Sequence, residues 1–365
     1  MSPEMESFLK SWRAWLGIGI SLVFLYFAFR GQDLGEIRRA LGEANLWWVI
    51  PALALYFTGV WIRSMRWGIL LRPVVPVTAR ELFPVSIVGY MANNVLPLRA
   101  GELVRSIILR QRYGVRKTSV LATIAVERIF DGLTMLAFML LAASFISFTS
   151  QLENLALIAF GLFAVLLMGL FALTLGGGVR DRLLQLALGP MPTPMADRVE
   201  RMAESFLSGL GVFRKRRDLL AVSGLSVISW LFEASTYWVL AIGFGGSVRE
   251  VMGFSATLLT TGVANMATLI PSSPGYVGQF EYGVRLVLSG ALGVPESSAL
   301  AYAILVHATL FFPITLLGII EWSRQHLNWK QIKESDDADE ATNGDVEVDD
   351  AGASVARSER RAESV

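Results

Sequence analysis

The sequence predicts an all-α, polytopic integral membrane protein with about six full crossings and two re-entrant hairpins of opposite orientation. The first observation is compositional. Of the 365 residues, 53% are hydrophobic and 17% are charged, whereas globular chains carry about a quarter charged residues. The second is that apolar runs long enough to cross a bilayer recur along the chain. The third is that two further runs are interrupted by Gly, Pro and charged residues.

The full crossings are predicted from uninterrupted apolar runs. A run of about 17 to 25 such residues can span a bilayer as a helix. These runs are 12–29, 46–62, 118–148, 155–175, 219–242 and 299–320. The first run has no small-residue cleavage site, so we expect an uncleaved anchor and not a signal peptide.

The two interrupted runs, 81–110 and 251–292, are predicted to form the re-entrant hairpins. Pro97 and Gly101 break the first run, and the segment 271–278 breaks the second. At membrane depth, polar groups normally face a cavity, and irregular backbone is tolerated only where protein or a cavity covers it. If each hairpin instead crosses the bilayer twice, the chain has up to ten crossings and the loop sides are unchanged.

The two hairpins share a pattern. Both contain Gly, Asn, an apolar residue before Pro, Gly, Glu and Arg in that order. The first set is Gly89, Asn93, Leu96-Pro97, Gly101, Glu102 and Arg105, and the second is Gly262, Asn265, Ile270-Pro271, Gly275, Glu281 and Arg285. Because the crossings before them run in opposite directions, the pattern indicates an inverted repeat, and such broken segments point to a transporter site near the midplane. The alternative is two unrelated kinks, since Gly and Pro are common in membrane helices.

The orientation follows from Lys and Arg, which concentrate in short cytoplasmic loops. Basic clusters lie at the N-terminus and in 63–80, 110–117, 180–217 and 324–333. The loops with few basic residues are 149–154, 245–250 and 293–298, whereas 30–45 is mixed. We therefore expect both termini in the cytoplasm, the first hairpin opening to the cytoplasm and the second opening to the outside.

The chain is predicted to divide into a transmembrane region, 1–325, and a cytoplasmic tail, 326–365. From Glu334 onward the chain has 11 acidic and 3 basic residues and few large apolar ones. Such a composition predicts disorder. Asp337 and Asp339 match the Asp-x-Asp pattern of metal-dependent glycosyltransferases, but in an acidic low-complexity tail we expect that match to arise by chance.

Composition also excludes several chemistries. Cys is absent, which excludes disulfides, thiolate metal sites and thiol nucleophiles. The only histidines are His307 and His326, too few for a His-based metal centre. Catalytic Ser/His/Asp arrangements and Gly-rich nucleotide loops are missing from the sequence. We predict no metal, no cofactor and no nucleic-acid partner.

The first candidate binding residues lie at the tip of the first hairpin. They are Asn93, Asn94, Arg99, Glu102 and Arg105. Guanidinium groups bind phosphate through two parallel hydrogen bonds, and a helix N-terminus beyond Gly101 would add a favourable dipole. Glu102 and Arg105 are three residues apart and can pair on one helix face. The alternative is a structural ion pair that holds the hairpin together.

Two further groups complete the candidate site. They are Glu127, Arg128 and Asp131, and then Ser272, Ser273, Gly275, Gly278, Glu281 and Arg285. The first group is either a salt-bridge cluster at the cytoplasmic interface or a part of the Arg99 site. The second group offers hydroxyl and backbone groups, followed by a Glu and an Arg four residues apart.

Four other side chains have weaker interpretations. Glu233 is an isolated carboxylate within a crossing, which is either functional or protonated and hydrogen-bonded. His307 is expected to be a packed helix residue more than a proton relay. Trp230 and Trp238 are expected to pack on one helix face.

Three motifs in this order resemble the lysylphosphatidylglycerol synthase transmembrane family, a flippase-like membrane region also found in the multiple peptide resistance factors. The motifs are Asn93-Asn94-x-x-Pro97-x-Arg99-x-Gly101-Glu102-x-x-Arg105, Glu127-Arg128-x-x-Asp131 and Pro271-x-x-Pro274-Gly275-x-x-Gly278-x-x-Glu281. The resemblance covers roughly residues 10–325 and implies a prokaryotic inner-membrane protein that handles a lipid. The full-length synthases continue into a soluble aminoacyl-transferase domain. This chain ends about 40 residues after its last predicted crossing, so lysyl transfer is not expected.

The predicted function is therefore a lipid flippase or transporter for an anionic phospholipid or a lipid-linked head group. Arg99 and Arg105 would hold the head group where the two hairpin tips meet near mid-membrane. One alternative is a transferase acting on a lipid phosphate, for which Glu127 and Asp131 are the reasonable base or metal pair. Another is a non-catalytic membrane partner of a lipid-modifying enzyme. The expected partners are the lipid and the membrane, and association between copies of the chain is left open.

Overall fold

The computed structural model describes residues 33–96, 100–146, 215–268 and 274–325, together with isolated positions within 19–31 and 150–165. Every regular element in the four continuous ranges is helical, as the composition predicts. The described residues do not include Arg99, Ser272, Ser273, the acidic tail or most of the crossings 155–175 and 12–29.

Ten helices are described in these ranges. They are α1 (Leu34–Glu43), α2 (Val49–Leu71), α3 (Ala79–Val95), α4 (Gly101–Tyr113), α5 (Lys117–Ala143), α6 (Arg216–Phe244), α7 (Gly246–Val251), α8 (Phe254–Ala267), α9 (Gln279–Arg285) and α10 (Glu296–Arg324). A 3₁₀ turn, Leu46–Trp48, leads into α2, a second, Pro274–Tyr276, precedes α9, and a π-helical turn, Leu286–Ala291, follows it.

Three helical segments among the described residues are long and apolar enough to cross a membrane. They are Leu46–Leu71, Arg216–Phe244 and Glu296–Arg324, and they contain the predicted crossings 46–62, 219–242 and 299–320. Helix α5 is comparable in length, with 27 residues or roughly 40 Å at 1.5 Å per residue. It carries Glu127, Arg128 and Asp131 near its middle, which lowers its apolar character.

The first predicted interruption is a true break between two helices that fold back on each other. Gly89 of α3 and Gly101 of α4 form the crossing point. A Cβ built on Gly101 would lie 1.9 Å from the carbonyl oxygen of Gly89. Asn93 completes the contact, because its Oδ1 accepts a hydrogen bond from the Gly101 N–H at 2.9 Å. The two helices can approach this closely only because both residues lack side chains.

The second interruption also separates two helices that pack together. The glycine at their close contact is not the one that the sequence pattern aligns with Gly101. Gly275, aligned with Gly101, lies against Phe311 of α10 and not against α8. The close approach of α9 to α8 occurs at Gly283, where a Cβ would lie 3.0 Å from the Cα of Ala264. Gly101 and Gly275 therefore pack against different partners, although both breaks are present.

Hydrogen bonds between loops group them at the two ends of the bundle. At one end, Ser297 Oγ donates to Glu36 Oε2 at 2.9 Å, and the Asn45 N–H donates to the Gly243 carbonyl at 2.8 Å. The mixed loop 30–45 therefore lies at the same end as the loops 245–250 and 293–298, which carry few basic residues.

The basic loops meet at the opposite end of α2 and α6. Arg72 Nη1 donates to Asp218 Oδ1 at 2.9 Å, and the Tyr113 hydroxyl donates to Glu81 Oε1 at 3.3 Å. Hydrogen bonds from the Thr78 side chain and backbone, together with Tyr113, hold the pKa of Glu81 below its usual value. This end carries the positive charge expected at a cytoplasmic surface.

This arrangement predicts the outcome of cysteine labelling. Because the chain has no Cys, the single-Cys variants S297C and R217C can be labelled with a membrane-impermeant maleimide. We expect labelling of position 297 in intact cells and of position 217 only after lysis. The unsubstituted chain is the control for background labelling, and the reverse pattern would invert the proposed orientation.

The chain divides into two compact units, Met1–Ile319 and Ile320–Val365. The second unit is described only through residue 325. In that stretch Arg324 Nη1 donates to Glu321 Oε1 at 3.3 Å.

Candidate functional site

The first feature of the site is a buried network of charged side chains that joins α2, α4, α5 and α6. Within the described ranges it comprises four arginines and four carboxylates. The members are Arg63, Arg66, Arg105, Arg128, Glu102, Glu127, Asp131 and Glu233. Their formal charges sum to zero, which is the condition under which charges are tolerated away from water.

Glu127 lies at the centre of this network and is 1% exposed. Arg105 reaches both of its oxygens, with Nη2 at 2.9 Å from Oε2 and Nη1 at 3.5 Å from Oε1. Arg128 Nη2 lies 3.1 Å and Arg66 Nη2 lies 3.4 Å from Oε1. One carboxylate from α5 therefore holds three guanidinium groups from three helices.

Asp131, one turn further along α5, also has partners at both carboxylate oxygens. Its Oδ1 accepts hydrogen bonds from Arg66 Nη1 at 2.7 Å and from Trp230 Nε1 at 2.8 Å. Arg128 Nη1 lies 3.6 Å from its Oδ2. Arg66 Nη1 also donates to Ser226 Oγ at 2.8 Å. Asp131 thus connects α2 to α6.

Two aromatic rings complete the network by stacking on guanidinium groups. The Arg63 guanidinium carbon lies 4.2 Å from the Trp230 ring centroid, and that of Arg105 lies 3.8 Å from the Trp67 ring centroid. Arg63 Nη2 also donates to Glu233 Oε2 at 2.6 Å. Glu233 is therefore not isolated, and Trp230 is a hydrogen-bond donor and cation–π partner as well as a packing residue.

The predicted local pair between Glu102 and Arg105 is wrong. Arg105 turns inward to Glu127, whereas Glu102 lies 3.6 Å from Arg128 Nε. The reason is burial: the Arg105 side chain is 5% exposed and that of Glu102 is 27% exposed. A buried guanidinium requires a buried partner, which neighbours on its own helix surface cannot supply.

Arg63 and Arg66 belong to the network but were not among the predicted site residues. Both were assigned to a basic loop because the predicted crossing ended at residue 62, but α2 continues to Leu71. A signal was available: the two arginines are three residues apart, so they share a helix face, and Trp61 and Trp67 flank them in an otherwise apolar stretch.

The second feature is a cavity with a volume of about 140 Å³ beside the network. Both hairpins contribute to it. The lining residues are Tyr56, Arg63, Tyr90, Asn93, Asn94, Arg128, Asp131, Trp230, Glu233, Asn265, Thr268, Tyr276, Phe280, His307, Leu310, Phe311 and Ile314. Helices α2, α3, α5, α6, α8, α9 and α10 thus surround one polar and aromatic space.

The structure brings some of the predicted site residues to this cavity and places others away from it. Asn93, Asn94, Arg128 and Asp131 line it. Glu102, Arg105 and Glu127 lie in the charged network. Gly275, Gly278 and Glu281 lie at the start of the helical part after the second break, and Arg285 lies 3.6 Å from Glu296 instead of pairing with Glu281.

The carboxamides on the cavity have fixed orientations. Asn94 Nδ2 donates to Thr315 Oγ1 at 2.8 Å and to the Phe311 carbonyl at 3.4 Å. Asn265 Nδ2 donates to the Thr261 carbonyl at 2.9 Å. Each of these carboxamides has both a donor and an acceptor group, and the Asn93 Oδ1 already accepts from the Gly101 N–H. The cavity can therefore both donate hydrogen bonds to a ligand and accept them.

Glu281 and His307 form a second pair, and His307 brings it to the cavity. Glu281 Oε1 lies 2.5 Å from His307 Nδ1, and its Oε2 accepts a hydrogen bond from the Gly278 N–H at 2.7 Å. The His307 ring lies 4.7 Å from the Phe280 ring and 5.9 Å from the Phe311 ring. His307 is therefore not only a packed helix residue, because it also lines the cavity and binds the hairpin carboxylate.

The long apolar helices, the two broken segments and the polar cavity indicate a helical membrane protein. The comparison with family models agrees with this class. Residues 14–318 match the family described as the lysylphosphatidylglycerol synthase TM region. Because the match covers most of the chain, the protein belongs to this family, as the three motifs predicted.

Curated proteins from archaea are similar over most of this chain. A protein named Glycosyltransferase AglD from Haloferax volcanii is 24% identical over 317 residues, which is 80% of this chain and 50% of that protein. This chain thus spans about half the length of that relative.

Two relatives of similar length are UPF0104 membrane proteins. The one from Methanothermobacter thermautotrophicus is 26% identical over 78% of this chain and 87% of its own length. The one from Pyrococcus horikoshii is 23% identical over 82% of this chain and 93% of its own length. No solved structure matches the chain.

Proposed function

We propose that the protein is a lipid flippase or transporter that holds the polar head group of an anionic phospholipid or lipid-linked substrate in the central cavity. The observation that carries the proposal is that residues from both broken hairpins line one polar cavity among helices long enough to span a bilayer. Irregular backbone and charged side chains at membrane depth are a feature of substrate pathways in transporters.

Helix α10 supports a path for the acyl chains. Its residues Leu310, Phe311 and Ile314 line the cavity. On its other face Phe312 is 59% exposed and Leu316 is 61% exposed. One helix thus separates the polar cavity from an apolar outer surface, so a head group inside and acyl chains outside would satisfy both environments.

The anionic character of the substrate is proposed from the arginines. Arg63 and Arg128 line the cavity, and each already has a carboxylate partner. Arg105 lies in the network and would act through Glu127. Arg99 belongs to the proposal because it follows Asn93 and Asn94, which line the cavity, by only a few residues. Because carboxylates already balance the arginines of the network, a bound phosphate would bring negative charge to a neutral site and would not simply neutralise a positive one.

The second candidate function is a membrane transferase, which the name Glycosyltransferase AglD of one relative suggests. Its reaction would need a general base or a metal, and Glu127 and Asp131 are the predicted pair. Both carboxylates already accept from guanidinium groups, and Asp131 also accepts from Trp230. In this arrangement they are poor bases, because a base needs an oxygen open to the substrate. The geometry therefore favours transport.

Reconstitution tests the proposal. The full chain is placed in liposomes that contain fluorescent phosphatidylglycerol, and the outer leaflet is quenched to measure translocation. We expect the protein to accelerate translocation and N265L to slow it by about tenfold, because losing a buried polar contact costs about 1–3 kcal/mol and 1.4 kcal/mol is a factor of ten. The matched control is F254L on the same helix, which alters a 66% exposed side chain away from the cavity.

The outcomes separate the candidate functions. Equal rates with and without the wild-type protein would contradict transport of this lipid. Turnover of a lipid head group in detergent would instead support the transferase. Neither activity, with a well-folded protein, would favour the non-catalytic partner.

A further inference from the structure

Within the described residues, a basic and an acidic side chain join each hairpin to the helix that follows it, and we call this pair the anchor of that hairpin. In the first, Arg105 of α4 binds Glu127 of α5, 22 residues later. In the second, Glu281 of α9 binds His307 of α10, 26 residues later. In both anchors the partner lies on the next numbered helix, but the hairpin supplies the basic residue in the first and the acidic residue in the second.

The two anchors differ in their response to protons. A guanidinium stays charged at any pH that proteins meet. An imidazole changes charge between about pH 5 and 8. The first anchor is therefore permanent, whereas the second can exist in two charge states.

The second anchor also contacts the backbone at the second break, so a change in its charge acts on that backbone. Glu281 Oε2 accepts from the Gly278 N–H, while its Oε1 meets His307. One carboxylate thus connects the backbone at the break to α10. Gly275 and Phe311 strengthen the connection, because a Cβ on Gly275 would lie 2.6 Å from the Phe311 ring.

We propose that the Glu281–His307 pair is a proton-binding site that couples lipid passage through the cavity to proton uptake and release. The inference rests on the proposed function, since the coupled process is lipid translocation. With Nδ1–H donating to the Glu281 carboxylate, His307 takes up a proton at Nε2. The pair then changes from a net charge of −1 to zero, and the tip is held by a full ion pair. Release of the proton weakens that hold on the Gly278 backbone and frees the segment 274–281 to move.

Other titratable and charged groups line the cavity, and the experiments must distinguish His307 from them. They are Tyr56 and Arg63 from α2, Tyr90 from α3, Arg128 and Asp131 from α5, Glu233 from α6 and Tyr276 before α9. Arg63 and Glu233 pair with each other, as do Arg128 and Asp131. His307 supplies the imidazole among the described residues that line the cavity, and imidazole is the side chain that typically changes charge between about pH 5 and 8.

The first experiment measures translocation of fluorescent phosphatidylglycerol by the full chain in liposomes with and without an imposed pH gradient. We expect the wild-type translocation rate to change by about threefold or more between about pH 5 and 8, where an imidazole changes charge. H307Q, whose amide cannot take up the proton, should show no response to the gradient. The matched control is H326Q, which removes the other histidine of the chain and should respond as the wild type does. An unchanged gradient response in H307Q would overturn the proposal.

The second experiment does not depend on lipid movement. Hydrogen exchange of the segment 274–285 is measured at about pH 6 and pH 8 and corrected for intrinsic rates. We expect stronger protection at the lower pH in the wild type and in H326Q, and no such difference in H307Q or E281Q. If the wild type moves no phosphatidylglycerol but shows this difference, the proposed lipid transport fails while the proton-binding site stands. If H307Q keeps the difference, the proton-binding site fails.

Discussion

Replacing Glu127 with glutamine should destabilise the protein more than any other single charge removal in the described network. The carboxylate is 1% exposed and is shared by Arg66, Arg105 and Arg128. Glutamine keeps the shape but leaves buried guanidinium charge without compensation, which typically costs about 3–5 kcal/mol. For a domain of this size we expect the apparent melting temperature in detergent to fall by on the order of 10 °C.

The control for this substitution is E102Q. Glu102 is partly exposed, and its oxygen lies 3.6 Å from Arg128. Pairs in such positions contribute about 0–1 kcal/mol, so E102Q should melt near the wild-type temperature.

The double variant E127Q/R105Q removes one charge of each sign. It should recover part of the loss, because residues in one network couple by about 0.5–3 kcal/mol. Equal melting temperatures for E127Q and E102Q would show that the network contributes little to stability.

Replacing Gly101 with alanine should disrupt the first hairpin. The added Cβ would lie 1.9 Å from the Gly89 carbonyl oxygen and 2.7 Å from Asn93 Oδ1. The nearest atom belongs to the backbone, so the helices must separate, and the bond from the Gly101 N–H to Asn93 would be lost. Overpacking usually costs about 1–3 kcal/mol and more where the backbone must move. We expect loss of folded protein from the membrane, measured by fluorescence size exclusion.

The matched control is G224A in α6. A Cβ at that position meets nothing within 4 Å, and alanine favours a helix over glycine by up to about 1 kcal/mol. G224A should therefore be as abundant as the wild type or more so. A G101A variant as abundant as G224A would mean that the α3–α4 contact is not tight in the folded protein.

Much of the fold could be predicted because apolar length and helix-breaking residues act locally. The crossings at 46–62, 219–242 and 299–320 follow from hydropathy alone, and Pro and Gly mark the two breaks. The end of α2 was misplaced because Arg63 and Arg66 have the sequence signature of a cytoplasmic loop. Charged residues end a predicted crossing unless a buried partner compensates them, and that partner is remote in sequence.

For the site, the sequence could show which residues are unusual in a membrane helix, but it could not show which of them contact one another. Glu127 and Asp131 stood out as candidate site residues, but their partner Arg66 lies 65 residues before Asp131. The local Glu102–Arg105 pair was predicted because helix spacing is visible in one sequence, whereas the direction in which α4 faces is not. His307 was underestimated for the same reason, since its partner Glu281 lies beyond the π-helical turn on another helix.

The balance of the described network also bears on how the protein responds to membrane voltage. Moving one elementary charge through the field costs about 2.3 kcal/mol per 100 mV. Four guanidinium groups and four carboxylates that move together transfer no net charge. Movement of this network as a unit would therefore contribute no net charge to a voltage-dependent rearrangement, so a response to the resting potential would come from charged groups outside it, such as the Glu281–His307 pair.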